Sequence, residues 1–297
     1  MDKIRHNLLP VLAAFIWGTA FVAQSKGADL MPPLAFNTVR SVIATAVLLL
    51  VRFLFSKVRH EPFLPAKKNR KNLLIGGLVC GAFLAAAQTF QQIGLGTTDP
   101  GKCGFITALY MVLVPIAGLF FKKKAPFTVW IAVVVAAVGL YFLCITESFT
   151  IEFGDLMTFF CAISYTGQIL VIDYYSERVD AIRLSCLQFF IVAIVSCVGM
   201  LIFEQPDWSV LPQCTIPLLY TGVLSSGVAF TLQIVAQKGA NPTVVSLLMS
   251  LESVFAVLAG LVFGDTMTPR EWLGCALIFS GVIFSQLPTI DKKKKVV

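Results

Sequence analysis

The chain has 297 residues, of which 57% are hydrophobic and only 13% carry charge. A soluble domain carries about 25% charged residues, so a water-facing globule is excluded and the chain reads as a membrane protein. The net charge of +7 needs no nucleic-acid partner, because the basic residues fall where membrane topology puts them.

A spanning helix needs about 20 apolar residues to cross ~30 Å of hydrocarbon. Ten stretches approach or reach that length: 7–25, 34–55, 72–95, 101–121, 127–144, 154–174, 183–203, 216–237, 243–262 and 271–287. The links between them leave no room for a soluble domain. Lys3 and Arg5 resemble the basic start of a signal peptide, but the apolar run that follows is long and no A-x-A site closes it, so it is read as the first span. With the N-terminus in the cytoplasm, 18 of the 23 Lys and Arg fall on inside segments and three, Lys26, Lys102 and Arg270, fall outside. The positive-inside rule then places both termini in the cytoplasm of a multi-pass protein of the cell (inner or plasma) membrane. The basic runs are topology signals first and contacts for lipid headgroups second. Arg52, near an inside end, is expected to reach water along its own stem.

The two halves resemble each other. Trp17 matches Tyr165 and Arg40 matches Gln188 at an offset of 148. Gly77, Gln88, Gln92 and Gly94 match Gly222, Gln233, Gln237 and Gly239 at 145, and Pro100, Gly118, Trp130 and Gly139 match Pro242, Gly260, Trp272 and Gly281 at 142. The offset changes only near loops, where length varies cheaply. Each half holds five spans, an odd number, so the second copy enters from the opposite side. The expected fold is an all-α membrane protein of ten transmembrane helices, arranged as two inverted five-helix repeats around a central cavity. The organisation is a first repeat over 1–145, an extracytoplasmic linker over 146–153, a second repeat over 154–288 and a basic tail over 289–297. Asp99 and Asn241 stand where an N-cap belongs, each followed by proline, and Pro115 is expected to kink the fourth span.

In the third span Gly77, Gly81, Ala85, Gln88 and Gln92 share a helix face, as do Gly222, Ser226, Ala229, Gln233 and Gln237 in the eighth. Small residues suit close packing, whereas a glutamine in hydrocarbon must find partners or a wet cavity. Gln88 with Gln92, and Gln233 with Gln237, are expected to mark the two ends of one polar route, with interhelical hydrogen bonding as the alternative. Glu252 lies near the bilayer midplane, where a charge costs about 2.5 to 3.5 kcal/mol on insertion scales. Its counterpart in the first half is Tyr110. Three roles fit Glu252: an ion pair with Arg40, a protonated structural hydrogen bond, or substrate binding and proton coupling. Trp17 and Tyr165 suit either contact with a ligand or packing. The outside acids, Asp155 and Glu204 among them, read as solvated loop residues. The eight cysteines form no C-x-x-C pair and read as apolar filler. His6 and His60 are too far apart to make a metal site, and no phosphate loop or other cofactor motif is present.

Seven segments carry a family resemblance: FIWGTAF, PPLAFNTVR, PGKCGFITALYMVLVP, SYTGQI, SSGVAFTLQIVAQK, PTVVSLLMSLESVFAVLAG and EWLGCALIFSGVI. With them the chain resembles the drug/metabolite transporter superfamily in its EamA-type branch, over essentially its whole length. The resemblance implies two inverted five-helix repeats and transport of amino acids, other metabolites, nucleotide sugars or drugs. Many members place proline after the ninth-span glutamate. Ser253 stands there instead, so a softer or absent bend at Glu252 is expected. The first-helix glutamate of the small multidrug members has no equivalent, and their mechanism does not carry over.

The function expected is therefore secondary transport of a small polar or amphipathic metabolite by alternating access, with export favoured by the resemblance and protons as candidate partners. Uniport or exchange without proton coupling is the alternative. An intramembrane lipid-modifying enzyme would need a histidine, paired carboxylates or a metal set near the membrane, and a channel would need charge rings or a filter loop. Neither set is present in the sequence. Candidate binding or coupling residues are Glu252, Arg40, Gln88, Gln92, Gln233, Gln237, Tyr110 and Trp17.

Overall fold

A computed structural model describes residues 2–98, 100–122, 125–144, 152–262 and 267–285. Among these residues all regular structure is helical. The elements are α1 (Asp2–Leu30), α2 (Pro33–Val58), α3 (Lys67–Leu95), α4 (Pro100–Ala108 continued by Tyr110–Phe120), α5 (Phe127–Cys144), α6 (Phe153–Tyr175), α7 (Ala181–Phe203), α8 (Thr215–Gln237), α9 (Pro242–Met249 continued by Glu252–Val262) and α10 (Pro269–Ser285). Eight of them, α1–α4 and α6–α9, are long and apolar enough to cross a membrane, and Phe127–Leu143 within α5 is a shorter apolar helix. The helices outrun the apolar stretches at several ends. α3, for example, starts at Lys67 and carries four basic residues in its first turn and a half. Hydropathy marks only the hydrocarbon layer, whereas the intrahelical hydrogen bonds continue into the headgroup region at no extra cost.

Packing follows a regular scheme. α1 lies against α8 and α9, while α6 lies against α3 and α4; α2 packs on α7, and α5 on α10. The α5–α10 seam is a close backbone approach. A Cβ on Gly274 would sit 2.7 Å from Gly139 O and 2.6 Å from Leu143 N, and one on Gly281 would sit 2.8 Å from Ala132 O. At the offset of 142, Gly139 corresponds to Gly281 and Ala132 to Gly274, so the two close approaches have the same partners with roles exchanged. Small residues let the backbones approach where lipid gives no hydrophobic drive.

Three helices are irregular. α4 breaks at Leu109, where Leu109 N bonds Ile106 O and Val112 N bonds Leu109 O, both three residues back. Pro115 stays inside the following helical segment, about a turn and a half after this break. α9 breaks at Ser250 and Leu251, directly before Glu252. Its cause is local. The Ser250 hydroxyl donates to Leu247 O (2.8 Å), the carbonyl that Leu251 N would otherwise use, and Leu251 N turns to Leu248 O at 3.4 Å. The helix is thus interrupted directly before Glu252 without proline, where the Ser250 hydroxyl takes a backbone acceptor. Leu109 and Leu251 are equivalent at the offset of 142.

The third irregularity is a π stretch, Tyr220–Ala229, within α8. It holds Gly222, Ser225, Ser226 and Gly227, all poor helix formers, and Thr221 Oγ1 occupies Pro217 O (2.7 Å), the acceptor its own N–H would use. Bonds to the fifth residue displace the three-and-four stacking on which a shared face for Gly222, Ser226 and Ala229 rests. The expected face is therefore corrected for this segment: Ser225, not Ser226, reaches the central cavity.

The helix ends show ordinary capping with two surprises. Asn241 Oδ1 accepts from Thr243 N (2.9 Å), as expected of an N-cap; Asp99 lies outside the described residues. Asp155 and Glu204 are not loop acids. Buried Asp155 accepts from Lys102 Nζ (2.5 Å), Thr98 Oγ1 (3.2 Å) and Glu152 N (2.8 Å), tying α4 to α6. Glu204, at the end of α7, accepts from Leu34 N and Ala35 N (2.9 and 2.8 Å) and so caps α2. Arg52 does not snorkel to water either: it is buried, and with Arg183 it donates to the carbonyls of Pro62 and Phe63, holding the 59–66 loop over the ends of α2 and α7.

The α5–α10 seam gives a test. Gly274→Ala inserts a methyl against backbone on two sides, where overpacking costs about 1–3 kcal/mol, whereas a methyl added at Gly104 would meet nothing within 4 Å. Thermal unfolding in detergent is expected to show a lower melting temperature for Gly274→Ala and an equal or higher one for Gly104→Ala. Equal melting for both variants would contradict the packing described.

Candidate functional site

The helix breaks and glutamines converge on one cavity. Its lining includes Trp17, Phe21 and Gln24 of α1, Arg40 of α2, Gln88 and Gln91 of α3, Thr107 and Tyr110 of α4, Tyr165 and Ile169 of α6, Ser225, Phe230 and Gln233 of α8, and Met249 and Glu252 of α9. Residues from both halves of the chain thus face one space of about 30 Å³, enough for about two water molecules. Small-molecule pockets measure about 300 Å³ or more, so accommodating a metabolite requires these helices to part.

The site's two formal charges do not pair. Arg40 is buried and its Nη1 donates to Gln24 Oε1 (2.7 Å), while its Cζ lies 5.7 Å from the Phe36 ring centroid. Ion pairs do form between Arg52 and Glu61 (3.5 Å) and between Lys102 and Asp155 (2.5 Å), but Arg40 and Glu252 make none with each other. The ion-pair role considered for Glu252 is thereby corrected, because the Gln24 amide has taken the guanidinium. Tyr110 OH is turned toward the Glu252 carboxyl without making a hydrogen bond of good geometry. Gly18 lets α1 close on this point: a Cβ there would meet Glu252 O at 2.6 Å.

Several buried polar atoms on the lining have no protein partner: Arg40 Nε and Nη2, Gln88 Oε1, Tyr110 OH, Gln233 Oε1 and Glu252 Oε1. Buried polar groups are almost always satisfied, and each one that is not costs about 1–3 kcal/mol, more if charged. In hydrocarbon no lipid tail can make up that loss. Such atoms cluster around this one space, with donors on the α2 side and acceptors on α3, α8 and α9.

The remaining glutamines hold the cage. Gln233 Nε2 donates to Gln168 Oε1 (3.2 Å), and Gln168 Nε2 to Gln188 Oε1 (3.4 Å). Gln91 Nε2 donates to Thr107 Oγ1 (3.4 Å). Gln92 and Gln237, expected at the ends of a polar route, do not line the cavity. Gln92 Nε2 donates to Gln24 O (3.1 Å) and Gln237 Nε2 to Ile169 O (2.9 Å), so each ties its helix to the backbone of the first helix of its own half. The other expected residues, Glu252, Arg40, Gln88, Gln233, Tyr110 and Trp17, are brought together.

Aromatic rings form the apolar wall. Trp17 packs on Phe230 at 4.8 Å between centroids and donates Nε1–H to Ser225 O (3.3 Å), a carbonyl within the π stretch. Tyr165 stacks on Phe230 (6.4 Å) and meets Tyr110 edge-on (6.5 Å). Sequence reasoning did not assign Gln24, Gln91, Gln168 and Phe230 to the site. The glutamines carried a usable signal, since an amide at depth in a span needs a partner; Phe230, one of 25 phenylalanines, carried none.

The fold and site together define a multi-pass membrane protein with a polar chamber between its halves. The EamA-like transporter family model matches residues 5–145 and again 152–287. The chain belongs to the EamA-like transporter family. It is 32% identical over 289 residues to a protein of Archaeoglobus fulgidus described as an uncharacterized transporter, covering 97% of this chain and 87% of that one. YoaV and YwfM of Bacillus subtilis, described likewise, are 24% and 26% identical over 99% and 94% of the chain and 100% and 92% of their own lengths. A crystal structure 19% identical superposes with a TM-score of 0.74 over 95% of this chain and 96% of that one, which shows the shared fold.

Gln24 tests the electrostatics. Gln24→Leu keeps volume but removes the one side-chain hydrogen bond of the Arg40 guanidinium among the described residues, at a cost of about 1.5–3 kcal/mol. Its melting temperature in detergent is expected to fall by several degrees, and Gln24→Glu is expected to restore or exceed the original value. Equal melting of wild type and Gln24→Leu would mean that Arg40 is satisfied elsewhere.

Proposed function

We propose that the chain is a secondary transporter that moves a small polar or amphipathic metabolite, an amino acid or related compound or a drug, by alternating access between two inverted five-helix repeats of a ten-span protein. The observation that carries this reading is the cavity at the meeting of the two halves, whose lining leaves donors of Arg40 and acceptors of Gln88, Gln233 and Glu252 unengaged. The two successive family matches support duplication. So does the packing: α1 on α8 and α9 mirrors α6 on α3 and α4, while α2–α7 and α5–α10 are each their own mirror image. Two copies in opposite orientation give the chamber two openings of similar energy.

In this reading the Arg40 guanidinium takes the carboxylate or other anionic end of the substrate, Glu252 and Tyr110 take the amine or hydroxyl end, and Trp17, Tyr165 and Phe230 take its apolar part. The breaks at Leu109 and at Ser250–Leu251 let the halves of α4 and α9 tilt separately, so the site can open without melting a whole helix. Glu252 carries the coupling proton, with export as the direction and the termini in the cytoplasm. Gln92 and Gln237 keep α3 and α8 attached to α1 and α6 while the halves move.

Protein reconstituted in liposomes and offered a panel of radiolabelled metabolites, with and without a pH gradient, tests the reading. Saturable flux is expected, faster with the gradient. Glu252→Gln keeps the shape and removes the charge, and is expected to abolish the gradient's effect. Unsaturable conductance or chemical turnover would overturn the transporter reading. Flux in Glu252→Gln that responds to the gradient as in wild type would overturn the coupling role alone.

A further inference from the structure

Three helices present a layer of unpartnered polar groups beside the chamber. α2 and α7 run antiparallel. Glu204 at the end of α7 caps the start of α2, a Cβ on Gly199 would sit 3.1 Å from Leu34, and at the other end Arg52 and Arg183 share the carbonyls of Pro62 and Phe63. This register sets Asn37 and Ser41 within about a turn of Ser196. α3 runs alongside α7, with Gly77 against Leu187 and Gly81 against Ile191, so Gln88 reaches the level of Ser196 about two turns further on. The three faces meet in an apolar cluster that includes Ala44 and Leu48 of α2, Leu84 and Ala85 of α3, and Phe189 and Val192 of α7. Just beyond that cluster each face turns polar, with Ser41 and Asn37 on α2, Gln88 and Gln92 on α3 and Ser196 on α7.

Each of these five residues is at most 1% exposed. Asn37 Oδ1 and Nδ2, Ser41 Oγ, Gln88 Oε1, Gln92 Oε1 and Ser196 Oγ have no protein partner. Such atoms are costly at membrane depth unless something polar meets them. The other half shows that the fold itself does not require them. At the offset of 148, Ser41 corresponds to Phe189 and Ser196 to Leu48, both in the apolar cluster, while Asn37 corresponds to Ser185, whose hydroxyl accepts from Thr231 Oγ1 (2.9 Å). Small hydroxyls thus stand on one side where large apolar groups stand on the other, an exchange that frees both volume and bonding groups.

The chemistry of the layer selects its occupant. α2, α3 and α7 contain no Asp or Glu, so a cation would sit uncompensated near Arg40, and it would leave Asn37 Nδ2 unmet. Water serves donors and acceptors alike. The layer also has two ends. Gln92 lies on a concavity of about 330 Å³ formed with the 28–33 turn at the α2 end of the bundle, and Gln88, one turn deeper on the same face, lines the central cavity with Glu252.

We propose that ordered water fills this layer and carries protons between that concavity and Glu252, which rests on the coupling role proposed for Glu252. The charged and titratable groups around Glu252 are Tyr110 and Cys103 of α4, Tyr165 and Cys161 of α6, and Arg40 of α2. None is a histidine or a second carboxylate that could pass a proton on, so side chains alone form no relay. A proton taken up at the concavity moves from water to water past Gln92 and Gln88 and ends on a Glu252 oxygen. With the termini in the cytoplasm this is the outer side, the side from which an exporter driven by a proton gradient takes its protons.

A structure of the full-length protein at a resolution that shows water is expected to place ordered water within hydrogen-bond distance of Asn37 and Ser196. Melting in detergent is expected to be the same in sodium, potassium and choline chloride. A dry layer, or stabilisation by sodium alone, would overturn the assignment. Flux in liposomes, with the metabolite that the radiolabelled panel identifies, tests the route. Ser196→Leu puts the other half's side chain into the layer, and Asn37→Leu removes polarity at similar volume, so if one variant fails to fold the other remains. Either is expected to cut the stimulation by a pH gradient at least tenfold, while exchange at equal pH stays within about twofold of wild type. Ser185→Ala, at the position equivalent to Asn37, is expected to leave the stimulation unchanged. If the wild type responds to the gradient, undiminished stimulation in a folded Ser196→Leu or Asn37→Leu variant, equal loss of exchange, or an equal effect of Ser185→Ala would overturn the route and leave the coupling role of Glu252 standing. A wild type indifferent to the gradient would overturn both.

Discussion

The structure depends on one constraint: hydrocarbon cannot hydrogen-bond. A polar side chain deep in a span must therefore be met by protein or by something polar that enters. This chain places Gln24, Arg40, Gln88, Gln91, Gln168, Gln188, Gln233 and Glu252 in spans, and all are buried. Some satisfy one another, as in the relay Gln233–Gln168–Gln188 and the pair Arg40–Gln24. Of the atoms left over, those of Arg40, Gln88, Gln233 and Glu252 belong to residues that line the central cavity, whereas Gln188 does not line it. The same constraint that draws these amides into bonds within each half leaves further polar atoms of both halves on the lining of the central cavity.

The positions of the breaks follow from ordinary backbone competition. A serine hydroxyl that takes the carbonyl three residues back leaves the next amide without its usual acceptor, and the helix shifts to a tighter turn. The break in α9 falls just before Glu252, and its counterpart in α4 just before Tyr110, so the two facing polar tips sit at the starts of fresh helical segments. The π stretch in α8 presents the Ser225 carbonyl to Trp17. Irregular backbone at membrane depth is tolerated where it lines a cavity, and Tyr110, Glu252 and Ser225 all do so. The contacts at the helix ends use different chemistry. Asp155 and Glu204 bind helix N-termini and Lys102 on one side, whereas Arg52 and Arg183 grip loop carbonyls on the other.

Much of this was legible in the sequence. Apolar length located the eight helices long enough to cross a membrane and the shorter apolar helix Phe127–Leu143. Trp17 and Tyr165, Gln88 and Gln233, and Tyr110 and Glu252, matched in the sequence, fall on one cavity. What failed, failed locally. Neither the interruption at Leu109 nor that at Ser250–Leu251 was read from the sequence, because neither is marked by a proline. Helical spacing could not anticipate a π stretch. The pairing of Arg40 with Gln24 instead of Glu252 depends on side-chain reach across α1 and α2, which spacing within a single helix does not encode. Asp155 and Glu204 read as loop acids because hydropathy sees their charge and not the helix ends they serve.

The central claim is that polar groups from both halves enclose one chamber that opens to either face. The most direct test places a single cysteine at Ser225 in a cysteine-free background and applies a membrane-impermeant thiol reagent to right-side-out and inverted vesicles. Ser225 is 4% exposed and lines the cavity. The expected result is modification from both faces, slowly, as the chamber opens alternately. Modification from one face only, or from neither, would contradict the account.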